Sequence, residues 1–99
     1  MRIELADQVV AFVKALSPEP RRRVRLALRH LQKNQGDIRA LDGPLGGYYR
    51  LRIGPYRIVF TQTAKVSETP CIRCIFAERR DMIYEIFSDM LKQRLLDDK

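Results

Sequence analysis

The spacing of apolar residues changes period along the chain. From Ala6 to Leu16, the residues Val9, Phe12, Val13 and Leu16 recur at helical intervals, with Asp7 near the start. Ser17-Pro18-Glu19-Pro20 interrupts this pattern. Ser17 can cap a second helix, and Pro18 suits its first position because that N–H needs no partner. The second helix is predicted to run to about Asn34 or Gln35, with Val24, Ala27, Leu28 and Leu31 as its buried stripe. So short a link predicts an antiparallel helical pair. Gly36, Asp42, Gly43, Pro44, Gly46 and Gly47 then read as a loop.

Beyond that loop the period drops to two. The segment GYYRLRIGPYRIVF, residues 47–60, reads as two strands joined at Gly54-Pro55. Gly54 can supply the positive φ of a type II′ turn, and Pro55 tolerates the next position. This turn sets Ile53 against Tyr56, Arg52 against Arg57, Leu51 against Ile58, Arg50 against Val59 and Tyr49 against Phe60. Tyr49, Leu51, Ile53, Tyr56, Ile58 and Phe60 share the core side, and Tyr48, Arg50, Arg52, Arg57, Val59 and Thr61 share the other. A third strand is expected from Pro70 to Ala77, with Ile72, Cys74 and Phe76 on one face. Glu78-Arg79-Arg80-Asp81 leads into a last helix with the stripe Ile83, Ile86, Phe87, Met90 and Leu91. Met1 to Leu5 is a possible short strand. The order β-α-α-β-β-β-α predicts a single α+β domain over residues 1–99, a small antiparallel sheet with an N-terminal helical pair and a C-terminal helix on one face.

Composition narrows the function. Apolar residues at 45% and charged residues at 31% are ordinary for a globular domain. There is no apolar run long enough to span a membrane. The opening MRIELADQVV has acids where a signal peptide needs an apolar core, so the expected location is the cytoplasm. A net charge of +7 predicts attraction to polyanions, although an acidic protein partner would satisfy the same charge. Arg21, Arg22, Arg23, Arg25, Arg29 and Lys33 line the polar side of the second helix, either as a solvated face or as a strip that grips phosphates.

Cys71 and Cys74 have C-x-x-C spacing, but on a strand positions three apart point to opposite sides. They are expected to be reduced thiols, with no metal or redox role. His30 is the only histidine and reads as a surface or supporting residue. The three arginines of the hairpin demand more explanation. Like charges directly opposed on paired strands cost a few tenths of a kcal/mol to about 1 kcal/mol. Either an acid elsewhere in the fold neutralises Arg50, Arg52 and Arg57, or the negative charge arrives with a ligand. A guanidinium fork suits phosphate oxygens, and Tyr48 on the same face could stack on a base.

LDGPLGGYYRLRIGPYRIVF followed by ERRDMIYEIF resembles the RelE/ParE toxin superfamily of bacterial type II toxin–antitoxin systems. The resemblance covers essentially the whole chain. It implies a toxin with a cognate antitoxin. Of the two branches, the RelE-like one implies an endoribonuclease that binds the ribosome and cuts mRNA in the A site, inhibiting translation without metal or cofactor. By this resemblance Arg50, Arg52, Arg57, Arg79 and Tyr84 would be the catalytic group, with Arg80 in reserve for Arg79. Tyr48, Arg21, Arg22, Arg25, Arg29, Lys33 and Arg80 would contact RNA. Ile83, Phe87 and Met90 either meet the antitoxin or dock on the sheet. The chain departs from the RelE pattern in having arginines where that pattern has lysines, at positions 50 and 52. Arginine keeps its charge and cannot serve as a general base. The other branch, ParE-like, implies a non-nuclease toxin that binds DNA gyrase.

Overall fold

The structure is a computed structural model that describes residues 2–63 and 70–79. Its elements in chain order are β1 (Arg2–Leu5), α1 (Asp7–Ala15), α2 (Pro18–Leu31), β2 (Asp37–Ala40), β3 (Tyr49–Ile53), β4 (Tyr56–Thr63) and β5 (Cys71–Arg79). A single 3₁₀ turn, Gly43–Leu45, lies between β2 and β3. The five strands form one sheet in the order β1-β5-β4-β3-β2. The α+β class holds. The C-terminal helix expected from the sequence, with its stripe, falls outside the described residues.

The hairpin has the register that its sequence predicts, from Ile53 opposite Tyr56 to Tyr49 opposite Phe60. Gly54 sits at φ +56°, where any residue with a Cβ is strained, and the proline ring sets the next φ. Three features of the sheet differ from the expected pattern. First, β2 forms within the stretch read as loop. Its four residues, Asp-Ile-Arg-Ala, contain one large apolar side chain, so periodicity is too weak to declare a strand. The free edge of β3 supplies the ladder, in antiparallel register. Second, β1 pairs parallel to β5, which makes the sheet mixed. Third, the β4–β5 ladder slips between Val59 and Phe60, so that Val59 opposes Phe76 while Phe60 opposes Cys74. Ile75 is the extra residue of a β-bulge. The bulge corrects the prediction for Phe76: Ile72 and Cys74 join the main core, whereas Phe76 turns to the other face beside Val59.

Both helices lie on one face of the sheet, α1 over β5 and α2 over β3. Val9 and Val13 of α1, and Val24, Leu28 and Leu31 of α2, meet Leu51, Ile53, Tyr56, Ile58, Phe60, Ile72, Cys74 and Ala77. Burying one such large apolar side chain contributes about 1.5–3 kcal/mol, so this face holds the fold together. Phe12 meets the Tyr56 ring edge-on at 5.7 Å, and Tyr49 stacks on Phe60 at 5.5 Å.

Local chemistry fixes the helix ends. Ser17 has the extended backbone of a cap residue but makes no side-chain capping bond; Pro18 still begins the helix. α2 stops at Leu31, short of Asn34. Asn34 takes a left-handed φ of +58°, and the amides of Asn34 and Gln35 close back on the carbonyls of Leu31 and His30. This is a Schellman motif with asparagine in the place where glycine is usual. Gly36 follows at φ +136°, and a Cβ there would stand 2.9 Å from Leu51 Cδ1. At the far end of the sheet, Gln8 of α1 replaces a missing strand. Its side-chain amide donates to Ala77 O (2.6 Å) and accepts from Ala77 N (2.7 Å).

Candidate functional site

Residues directly opposed across a ladder share a face. The registers therefore place two rows on the face away from α1 and α2. One row runs Asp37, Arg52, Arg57, Glu78, and the next runs Arg39, Arg50, Val59, Phe76. The hairpin brings Arg50, Arg52 and Arg57 to one side, and β2 adds Arg39. Both answers to the charge question are present in part: Asp37 and Glu78 flank the Arg52–Arg57 pair in the ladder, and among the described residues of these two rows there are four arginines and two carboxylates. Beside the arginines, Val59 and Phe76 form a small apolar floor with Leu41, Leu45, Tyr48 and Ile75 packed on it.

The arginines differ in how they are held. Arg57 is buried, and its Nη1 donates to Gly54 O at 2.7 Å and to Tyr56 O at 2.9 Å, which ties its head to the turn. Arg50 is also buried, and its Nη1 finds no hydrogen-bond partner among the described residues. Among the described residues it pairs with Asp37, whose Oδ1 is 3.7 Å from Nη1. Arg52 is half exposed, with its Nε 3.9 Å from Asp37 Oδ2. Separations of this length fall outside hydrogen-bond range, and exposed ion pairs contribute about 0–1 kcal/mol. Arg39 is exposed. The arrangement presents a row of charge-fixed donors beside an apolar floor, which is suited to a phosphate chain carrying planar bases.

The other predicted residues are dispersed. Tyr48 is partly buried against the apolar floor. Arg79 lies opposite Tyr56, on the helix-packed side, with its guanidinium carbon 5.7 Å from the Tyr56 ring centroid. It is not brought to Arg50, Arg52 and Arg57. Arg21 donates to the α1 C-terminal carbonyls, to Leu16 O at 2.9 Å and Lys14 O at 3.5 Å, and so serves as an end cap. Arg22, Arg25 and Arg29 are exposed on α2, as is His30, and Lys33 is exposed in the turn that follows it. α2 packs on the opposite face of the sheet, so the helical strip and the strand arginines are separate surfaces. Arg80, Ile83, Tyr84, Phe87 and Met90 lie outside the described residues.

Cys71 and Cys74 are free. Burial pushes the Cys74 thiol up to about 12, which keeps it protonated and unreactive. Among the described residues, no three His, Cys, Asp or Glu side chains gather to hold a metal ion. Sequence reasoning missed Arg39, and Asp37 as the counter-charge, because both belong to the unrecognised β2. The faint alternation of Asp37-Ile38-Arg39-Ala40 after Gly36 was the available signal.

Comparison with solved structures defines the class. The chain is similar to a YoeB/ParE toxin from Agrobacterium tumefaciens, with a TM-score of 0.65 and 17% identity over 81% of this chain and 99% of that one. It is similar to a chain of the RelB–RelE antitoxin–toxin complex from Methanococcus jannaschii, with a TM-score of 0.60 and 25% identity over 84% and 96%. It is also similar to a chain of the toxin–antitoxin complex RelBE2 from Mycobacterium tuberculosis, with a TM-score of 0.64 and 17% identity over 80% and 96%. No protein-family model and no curated protein sequence matches. The chain has the fold of the RelE/ParE toxin superfamily, as its hairpin motif indicated. Among the described residues, no helix is long and apolar enough to cross a membrane.

Proposed function

We propose that this chain is the toxin of a toxin–antitoxin pair and that it inhibits translation by cutting ribosome-bound mRNA in the cytoplasm. The observation that supports this reading is the convergence of Arg50, Arg52 and Arg57 on the sheet face away from the helical pair. In the reaction the ribose 2′-oxygen attacks the adjacent phosphorus. The new P–O2′ bond forms as the P–O5′ bond breaks, leaving a 2′,3′-cyclic phosphate and a 5′-hydroxyl. One proton leaves the 2′-oxygen and one reaches O5′. Negative charge grows on the phosphoryl oxygens, and guanidinium groups already in place stabilise it. No arginine can take up the proton, so the ribosomal surface completes the site in this reading.

Arg50 and Arg52 engage the scissile phosphate, and Arg57 holds the turn that positions them. Tyr48 stacks on a base. Tyr84, with Arg80 in place of Arg79, orients the RNA, as the resemblance implies. The strip of Arg22, Arg25, Arg29 and Lys33 meets RNA phosphates on a second surface. An acidic antitoxin is steered by the +7 charge and contacts Ile83, Phe87 and Met90. The arginines at 50 and 52 also favour a second reading, a ParE-like toxin that binds DNA gyrase and cuts nothing. Toeprinting of translated messages separates the two. We expect A-site cuts that fall by about 10²–10³-fold in Arg52→Ala, the scale of losing one transition-state donor. Intact messages together with inhibited supercoiling would replace the nuclease reading with the gyrase one.

A further inference from the structure

Among the described residues, Arg50 and Arg52 share Asp37 as their counter-ion, and it fits them poorly. Asp37 sits on β2 directly opposite Arg52. One carboxylate oxygen faces each guanidinium, Oδ1 toward Arg50 Nη1 at 3.7 Å and Oδ2 toward Arg52 Nε at 3.9 Å. Neither approach closes to the roughly 2.7–2.9 Å of a charge-assisted hydrogen bond. The two sides of the contact also differ in solvation. The Asp37 side chain is 56% exposed, whereas that of Arg50 is 11% exposed and its Nη1 has no hydrogen-bond partner among the described residues. A buried donor left in that state favours any acceptor that can reach it. Asp37 can turn into water at little cost; Arg50 cannot.

We propose that Asp37 is a displaceable stand-in for a phosphate, and that it sets the affinity of the Arg50–Arg52 seat for a phosphodiester of single-stranded RNA. A phosphate can offer one oxygen to each guanidinium, as Asp37 does, and it is not tethered to the edge strand, so it can close both bonds. When empty of ligand, the seat needs Asp37, since Arg52 opposes Arg57 and Arg39 opposes Arg50 across the ladders. Asp37 thereby lowers repulsion in the free protein and competes with RNA in the bound one. The choice of RNA as the source of the phosphate rests on the function proposed above; the seat and its occupant do not.

The test titrates the full-length chain with inorganic phosphate and with acetate, following the Arg52 Nε–H and the Asp37 carboxyl carbon by NMR. Asp37→Asn is expected to bind phosphate about three- to tenfold more tightly, the scale of one or two half-exposed ion pairs, and to melt at a lower temperature without ligand. In the unaltered chain, saturating phosphate is expected to shift the Asp37 carboxyl carbon as the pair separates. This second readout stands if Asp37→Asn fails to fold. Phosphate affinity unchanged or weakened in folded Asp37→Asn, or an Asp37 signal that stays still at saturation, overturns the proposal. An equal gain for acetate would also overturn it, by assigning the seat to carboxylates of a protein partner. Loss of A-site cutting with the phosphate results intact would instead remove the nuclease reading and leave the seat.

Discussion

The two faces of the β3–β4 hairpin are made by alternate residues of the same ten or so positions, yet they obey different physics. On the helix side, Leu51, Ile53, Tyr56, Ile58 and Phe60 interlock with the apolar side chains of α1 and α2. On the other side, Arg50, Arg52 and Arg57 stand together on one face, and one buried nitrogen of Arg50 lacks a hydrogen bond among the described residues. The first face is arranged to lower the free energy of folding. The second tolerates a cost in folding, which is what a surface arranged for a charged ligand does. Side-chain alternation lets one short hairpin do both, because neighbouring residues never share a face.

The comparison can be broken first on the core side. Phe60→Ala removes a fully buried ring and is expected to destabilise the fold by about 3–5 kcal/mol in denaturant unfolding. A loss under about 1 kcal/mol would show that the helix-side packing is looser than its burial indicates. Next, Gln8→Ala leaves both the amide and the carbonyl of Ala77 without their partner, and should cost about 1–3 kcal/mol by thermal or chemical melting. Arg50→Met tests the arginine side directly. It keeps an unbranched apolar stem, removes the unsatisfied donor, and is expected to leave stability unchanged or raised by about 1 kcal/mol while A-site cutting is lost. A strongly destabilised Arg50→Met protein would make this arginine a structural residue.

The smallest effect concerns Cys74. Its thiol is raised from 9.0 to about 12 in the folded chain, so the folded form keeps its proton while the unfolded form gives it up. Stability from this source is complete below about pH 9 and declines as pH rises toward 12. Cys74→Ala should flatten that part of the pH profile; an unchanged slope would place its origin in other groups.

The sequence revealed the hairpin because alternation and Gly54-Pro55 agree on one register. It revealed both described helices because their apolar stripes repeat over several turns. It did not reveal β2, whose four residues carry too little periodicity to outweigh nearby glycines, and with β2 went Asp37 and Arg39. Nor could it place the bulge. Cys74, Ile75 and Phe76 are all apolar, so hydrophobicity is silent on which residue is the extra one. Arg21 looked like part of a phosphate strip because only the packing of α1 beside α2 brings open carbonyls within its reach.

What the chain determined locally was the identity of each side chain and, through alternation, which arginines travel together. Whether they meet acids, open water or one another was decided by long-range pairing. β2 adds itself to β3, and the bulge in β5 turns Glu78 toward Arg57. Such contacts join residues far apart in the chain, and their energies depend on distance and burial, which a local pattern does not encode.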